Sequence, residues 1–127
     1  LLNEKNNGEN VLSLIQENLV LSSHDVSNGG LIIALSEMSI ASDFGIKIQK
    51  PKKLTNLYEY FFGEDQGRYI LEIDQKNIKK VEKKLKENNI YYENIGNTQK
   101  DYFEIEDELK INVKELFKIN NEWYNKF

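Results

Sequence analysis

The sequence predicts an α/β (α+β) domain in which a mixed β-sheet carries helices packed on it. Three observations predict this. Short alternating apolar runs and longer amphipathic runs follow one another along the chain, which is the pattern of interleaved strands and helices. Glycine, asparagine and the single proline punctuate those runs. Hydrophobic residues at 39% and charged residues at 30% provide a core and a solvated surface together, unlike the composition of disordered chains.

The elements follow in order. Residues 1–10, including Asn6, Asn7 and Gly8, are polar and poorly patterned, so they read as a loose lead-in or linker remnant before a single domain over 11–127. From Val11 the positions Val11, Leu12, Ile15 and Leu19 recur at helical spacing, with Ser13, Gln16 and Glu17 outward. Leu19 to Val26 then enters a short buried strand, which the turn Ser27-Asn28-Gly29-Gly30 stops. Leu31 to Ala41 is apolar nearly all round and long enough for a largely buried helix. Ile46 and Ile48 alternate with Lys47 and Gln49 in a strand that Pro51 ends.

A short helix is expected over Leu54 to Phe62, with Thr55 as N-cap and Leu57, Tyr58 and Phe61 toward the core. Arg68 to Asp74 is the clearest strand, with Tyr69, Leu71 and Ile73 on one face. Asp74 caps the next helix, whose apolar face is Ile78, Val81 and Leu85 and whose lysines line the others. After Asn88-Asn89, Ile90 to Ile95 and Tyr102 to Ile105 read as strands around a turn at Gly96-Asn97. Asn112 with Glu115 resembles a capping box for a last helix that ends in Trp123, Tyr124 and Phe127.

Composition narrows the function. A formal net charge of -4 argues against a nucleic-acid footprint, because phosphate backbones are held by clustered positive charge. The absence of cysteine excludes disulfides and thiolate metal sites. No run approaches the roughly 18 apolar residues of a membrane span, so a cytoplasmic location without membrane contact is the expectation. The chain opens Leu1-Leu2-Asn3 with no initiator methionine, as a processed product or a piece of a longer chain would.

Two segments concentrate chemistry. Ser23-His24-Asp25-Val26-Ser27-Asn28-Gly29-Gly30 places the only histidine, a carboxylate, hydroxyls and a glycine pair at a strand-to-helix junction. Backbone N–H groups at such a helix start favour an approaching phosphate; a helix cap and tight turn would use the same residues. Phe62-Gly63-Glu64-Asp65-Gln66-Gly67-Arg68 sets carboxylates, an amide and a guanidinium between glycines just before a strand. Glu64 and Asp65 have the chemistry to hold Mg²⁺, Gln66 to bond a ribose or amide, and Arg68 to pair with phosphate; a solvated charged turn would look alike. The lone His24 makes no nucleophilic triad by sequence spacing.

Taken together, in this order and separation, the two segments resemble the formylglycinamidine synthase family over about Val11 to Ile73. The resemblance implies a C-terminal-type α/β domain like that of aminoimidazole ribonucleotide synthetase. In that family two such domains and two N-terminal-type domains share one chain, and the histidine-aspartate-valine-serine form here resembles the second C-terminal-type copy. The implied reaction uses ATP, Mg²⁺, formylglycinamide ribonucleotide and glutamine-derived ammonia. Its catalytic histidine and metal ligands belong to N-terminal-type domains, which nothing in this chain resembles.

The implied contacts to nucleotide, phosphate or substrate are His24, Asp25, Ser27, Gly29, Gly30, Glu64, Asp65, Gln66 and Arg68, with no catalytic residue among them. Asp65 stands where the substrate-binding copy has serine, which argues for a supporting or auxiliary nucleotide site. The implied partners are the remaining synthetase domains and a glutaminase subunit or domain. A stand-alone interaction or nucleotide-sensing module is the alternative from another class. Two structural expectations follow: the segments adjoin only if their strands pair antiparallel, and Tyr58 to Phe62, Trp123, Tyr124 and Phe127 mark a domain interface by their exposure.

Overall fold

The computed structural model describes residues 2–53 and 56–126. In chain order these form α1 (Leu2–Gln16), β1 (Ser22–Asp25), α2 (Gly30–Ser42), β2 (Gly45–Ile48), α3 (Leu57–Phe62), β3 (Tyr69–Glu72), a 3-10 turn (Gln75–Asn77), α4 (Ile78–Glu87), β4 (Gly96–Gln99), β5 (Tyr102–Ile105), β6 (Leu109–Asn112) and α5 (Val113–Tyr124). In place of one sheet there are two, β1-β3 and β4-β2-β5-β6. The chain divides into two compact units, one of residues up to Ala34 with Gly63–Glu93, the other of Leu35–Phe62 with residues from Asn94 onward.

The first unit is built on β1 and β3, which pair antiparallel from Ser22↔Glu72 to Asp25↔Tyr69. Its core joins Leu14 and Leu19 to Val81 and Leu85, with Leu71, Ile73, Ile90 and Tyr92 packed against them. The helix ends explain how these residues meet. Asn18 takes a left-handed φ of 55° and Asn89 one of 54°, while Leu19 N–H donates to Leu14 O and Ile90 N–H to Leu85 O. Both are six-to-one closures that satisfy free carbonyls and fold an apolar residue back on the helix. Asp74 accepts from Lys76 N–H, as its capping role requires.

The structure corrects the reading of residues 1–10, since α1 begins at Leu2. That stretch has no apolar stripe because polar contacts hold it, among them Lys5–Glu9 at 3.7 Å and Asn7 Nδ2 to Gly67 O at 2.9 Å. Within α1 the buried residue is Leu14, whereas Leu12 and Ile15 are exposed. In β3 the buried side chain is Ile70, with Leu71 and, just past the strand, Ile73 partly covered on the other face, so both faces are used.

In the second unit β2 runs antiparallel to β4 and parallel to β5, and β5 pairs antiparallel with β6. Ile48, Phe103, Ile105 and Val113 are its buried apolar residues from the sheet and the start of α5. Residues Ile90 to Ile95 form no strand, and Gly96-Asn97, expected as a turn, opens β4 instead. The reason is packing: Ile90 and Tyr92 satisfy their apolar character against the Leu14 and Leu85 core. Leu109-Lys110-Ile111-Asn112 alternates apolar with polar residues, yet Leu109 and Lys110 both stay exposed, so β6 buries little of that pattern. Asn112 caps α5 by accepting from Lys114 N–H at 2.9 Å. The cap expected at Thr55 lies outside the described residues, and Asn56 accepts from Tyr58 N–H and Glu59 N–H at the start of α3.

Candidate functional site

Apart from Phe62, both chemical segments belong to the first unit and lie at one end of the β1–β3 pair. Antiparallel pairing brings the exit of β1 beside the entrance of β3, and Val26 N–H donates to Arg68 O at 2.9 Å just past the last strand pair. Gly29 N–H then donates to Glu64 Oε1 at 2.8 Å. The segments therefore touch directly. A cleft of about 290 Å³ opens between them, lined by Asp25, Ser27, Glu64, Gln66, Arg68 and, from α1, Glu4.

The turn before α2 needs glycine at Gly29, whose φ is +81° and where a Cβ would stand 2.4 Å from Ile33 Cγ1. This is a left-handed position that only glycine adopts without strain. The N–H groups expected to wait for an anion are already engaged. Gly29 N–H is taken by Glu64, and Gly30 N–H donates to Ser27 O at 3.1 Å. Glu64 thus serves as the anion at the start of α2, where the helix dipole favours negative charge.

Arg68 is held differently. Its Nη2 donates to Gly63 O, the Asp65 carboxylate lies 3.9 Å from the same nitrogen, and its Nε is buried with no hydrogen-bond partner among the described residues. A buried guanidinium nitrogen without an acceptor has a donor to spare. Gln66 and Asp65 are exposed at the loop tip.

His24 points elsewhere. It lines a neighbouring depression of about 400 Å³ with Val11, Leu12, Ile15 and Tyr69. His24 Nδ1 lies 2.6 Å from the Asp25 carbonyl oxygen, and because that oxygen can only accept, Nδ1 carries the proton. Asp25 borders both hollows. Among the described residues no three His, Cys, Asp or Glu side chains come together as metal ligands.

Sequence reading missed Glu4 and Asn7, which reach this loop from the stretch taken for a linker. Both are polar residues at helical spacing without an apolar stripe, so periodicity had nothing to register.

Fold and site together define a mixed α/β domain that carries a glycine turn and an acidic, glycine-bounded loop on one antiparallel strand pair. The family described as "AIR synthase related protein, C-terminal domain" matches residues 1–107, and the chain belongs to that family. It is 42% identical over 127 residues to the phosphoribosylformylglycinamidine synthase subunit PurL of Pelagibacter ubique, covering 100% of this chain and 17% of that protein. The corresponding subunit of Bartonella bacilliformis is 35% identical over 127 residues, covering 98% of this chain and 17% of that protein. The chain thus spans 17% of the length of these relatives.

Among solved structures, Thermotoga maritima PurL complexed with FGAR superposes with a TM-score of 0.75 at 17% identity, over 90% of this chain and 21% of that one. The same protein complexed with AMPPCP gives a TM-score of 0.76 over 89% of this chain and 21% of that one. At such identity the likeness establishes the fold. The expected family resemblance and fold class are both borne out.

Proposed function

We propose that the chain is a C-terminal-type domain of an ATP-dependent purine-biosynthesis ligase, converting formylglycinamide ribonucleotide to formylglycinamidine ribonucleotide, and supplies a supporting part of its active site. The observation that carries this reading is the direct contact between the two segments through Gly29 and Glu64. In this reading Asp25, Ser27, Glu64, Gln66 and Arg68 line the cleft that takes nucleotide, phosphate or substrate, with Gly29 and Gly30 shaping its turn, Asp65 at the exposed loop tip and His24 on the neighbouring depression. Arg68 is the anion-pairing group, because its residue lines the cleft and its guanidinium carries the positive charge there. Glu64 orders the glycine turn, and Gln66 at the loop tip bonds polar groups of the ligand.

ATP enters as the whole enzyme's nucleotide, supported by the similarity to a protein solved in complex with ATP. Mg²⁺ belongs to the other domains in this reading, consistent with the lack of a cation cluster among the described residues. The partners are those other synthetase domains and a glutaminase subunit or domain, in the cytoplasm. Nucleic acid and membrane have no role.

The test is catalytic and needs only the purified chain. Incubated with ATP, Mg²⁺, ammonia and formylglycinamide ribonucleotide, it should release no ADP above background, because in this reading the catalytic histidine and metal ligands belong to the other synthetase domains. Turnover that tracks the purified chain overturns the supporting role. ATP titration should show binding that Arg68→Ala weakens; equal affinity of wild type and variant would remove Arg68 from the site.

A further inference from the structure

The first half of α1 meets the Gly63 to Arg68 loop at successive points. Asn7 Nδ2 donates to Gly67 O at 2.9 Å across 60 positions of sequence. Gly67 has a φ of +75°, and a Cβ placed there would stand 3.1 Å from Glu4 Cα, Cβ and Cγ. Gly8 is close to a side chain of the next strand, since a Cβ on it would lie 3.3 Å from Tyr69 Oη. Glu4 also forms a wall of the cleft that Gln66 and Arg68 line.

These contacts bear on Arg68 in particular. A peptide unit is planar, so fixing the carbonyl of Gly67 fixes the plane that carries the Arg68 nitrogen. On its other side the Arg68 carbonyl is fixed by Val26 N–H. The Arg68 backbone is therefore pinned by α1 before it and by β1 after it. Its side chain is directed by the bond from Nη2 to Gly63 O and by the Asp65 carboxylate 3.9 Å from the same nitrogen.

We propose that Asn7 is a positioning residue: its amide sets the Gly67–Arg68 peptide and thereby aims the Arg68 guanidinium into the cleft. The stretch that looks like a linker is then part of the site's scaffold. This rests on the reading of Arg68 as the anion-pairing group, and its test is arranged so that the two fail separately.

Asn7→Ala and Asn7→Gln are compared with wild type by amide chemical shifts, by thermal midpoint and by titration with ATP and with inorganic phosphate. In Asn7→Ala the Gly67 and Arg68 amides should shift while the Val81 and Leu85 amides of the core hold theirs. ATP affinity should fall about fivefold, the worth of one hydrogen bond, without a matching fall in thermal midpoint. Asn7→Gln, which keeps the amide donor, should recover part of that affinity. Unmoved Gly67 and Arg68 amides in Asn7→Ala overturn the proposal, as does a loss of affinity that merely follows a loss of stability. If wild type binds neither ATP nor phosphate, the nucleotide reading and the proposed aim of Arg68 both fail; if it binds with equal strength in Asn7→Ala, only the positioning role falls.

Discussion

Glu64 and Gly29 meet with opposite needs, a carboxylate without a cation and an N–H at a helix start without an internal acceptor. Their bond closes the loop onto the turn and occupies the place where a ligand anion would sit. Glu64→Gln keeps the oxygen but removes the charge, so phosphate should bind more tightly than in wild type, as titration monitored at the Gly29 amide would reveal. Gly29→Ala should be the harsher change, because its φ of +81° and the 2.4 Å approach to Ile33 Cγ1 leave no room for a methyl group. Left-handed geometry alone costs an L-residue about 1–2 kcal/mol, and the thermal midpoint should drop accordingly. At this scale the sequence was informative about identity and weak about role. The residues of both segments stood out by type, yet nothing in their spacing disclosed that Glu64 would satisfy Gly29 internally or that His24 would turn toward Val11 and Tyr69. Those facts depend on which strands pair.

Helix α4 illustrates how far an element can be read in advance. Its apolar face and the Asp74 cap were legible, because period and cap chemistry are local. Its lysines read from sequence as a solvated face, yet two of them have a tertiary role: Lys84 and Lys80 both meet Glu17 beyond the end of α1. The hydrogen bond from Lys84 holds the Glu17 carboxyl below its ordinary value of 4.5. A carboxyl with a lowered folded-state pKa contributes stability that is present above its unfolded value and lost as pH falls through its folded one. The difference in urea midpoint between wild type and Glu17→Gln should therefore be full at neutral pH, shrink below about pH 4.5 and vanish in stronger acid. β4 marks the limit of such reading, since Gly96 to Gln99 hold their place through pairing with β2 rather than through apolar alternation.

For the molecule as a whole, the exposed aromatic residues carry the expectation of a lost neighbour. Tyr58 is 76% exposed and Phe62 50%, their rings 6.3 Å apart, and Trp123 is 61% exposed. Phe61 from the same cluster is buried, and the Tyr124 side chain and Phe127 fall outside the described residues. Replacing Tyr58, Phe62 and Trp123 by serine should raise solubility, read as the concentration at which light scattering begins, with little change in thermal midpoint, because these side chains add little to either core. The division of the chain also has a bearing on its synthesis. Each compact unit is assembled from stretches that the other interrupts, and β1 precedes its partner by 50 positions at Ser22 and Glu72. At a translation rate of about 5–20 residues per second, β1 waits about 2.5–10 s on the ribosome for β3 to be made. During that interval the His24-Asp25 segment is an unpaired strand edge, so the site's strand pair is born open and is finished only as Tyr69 to Glu72 emerge.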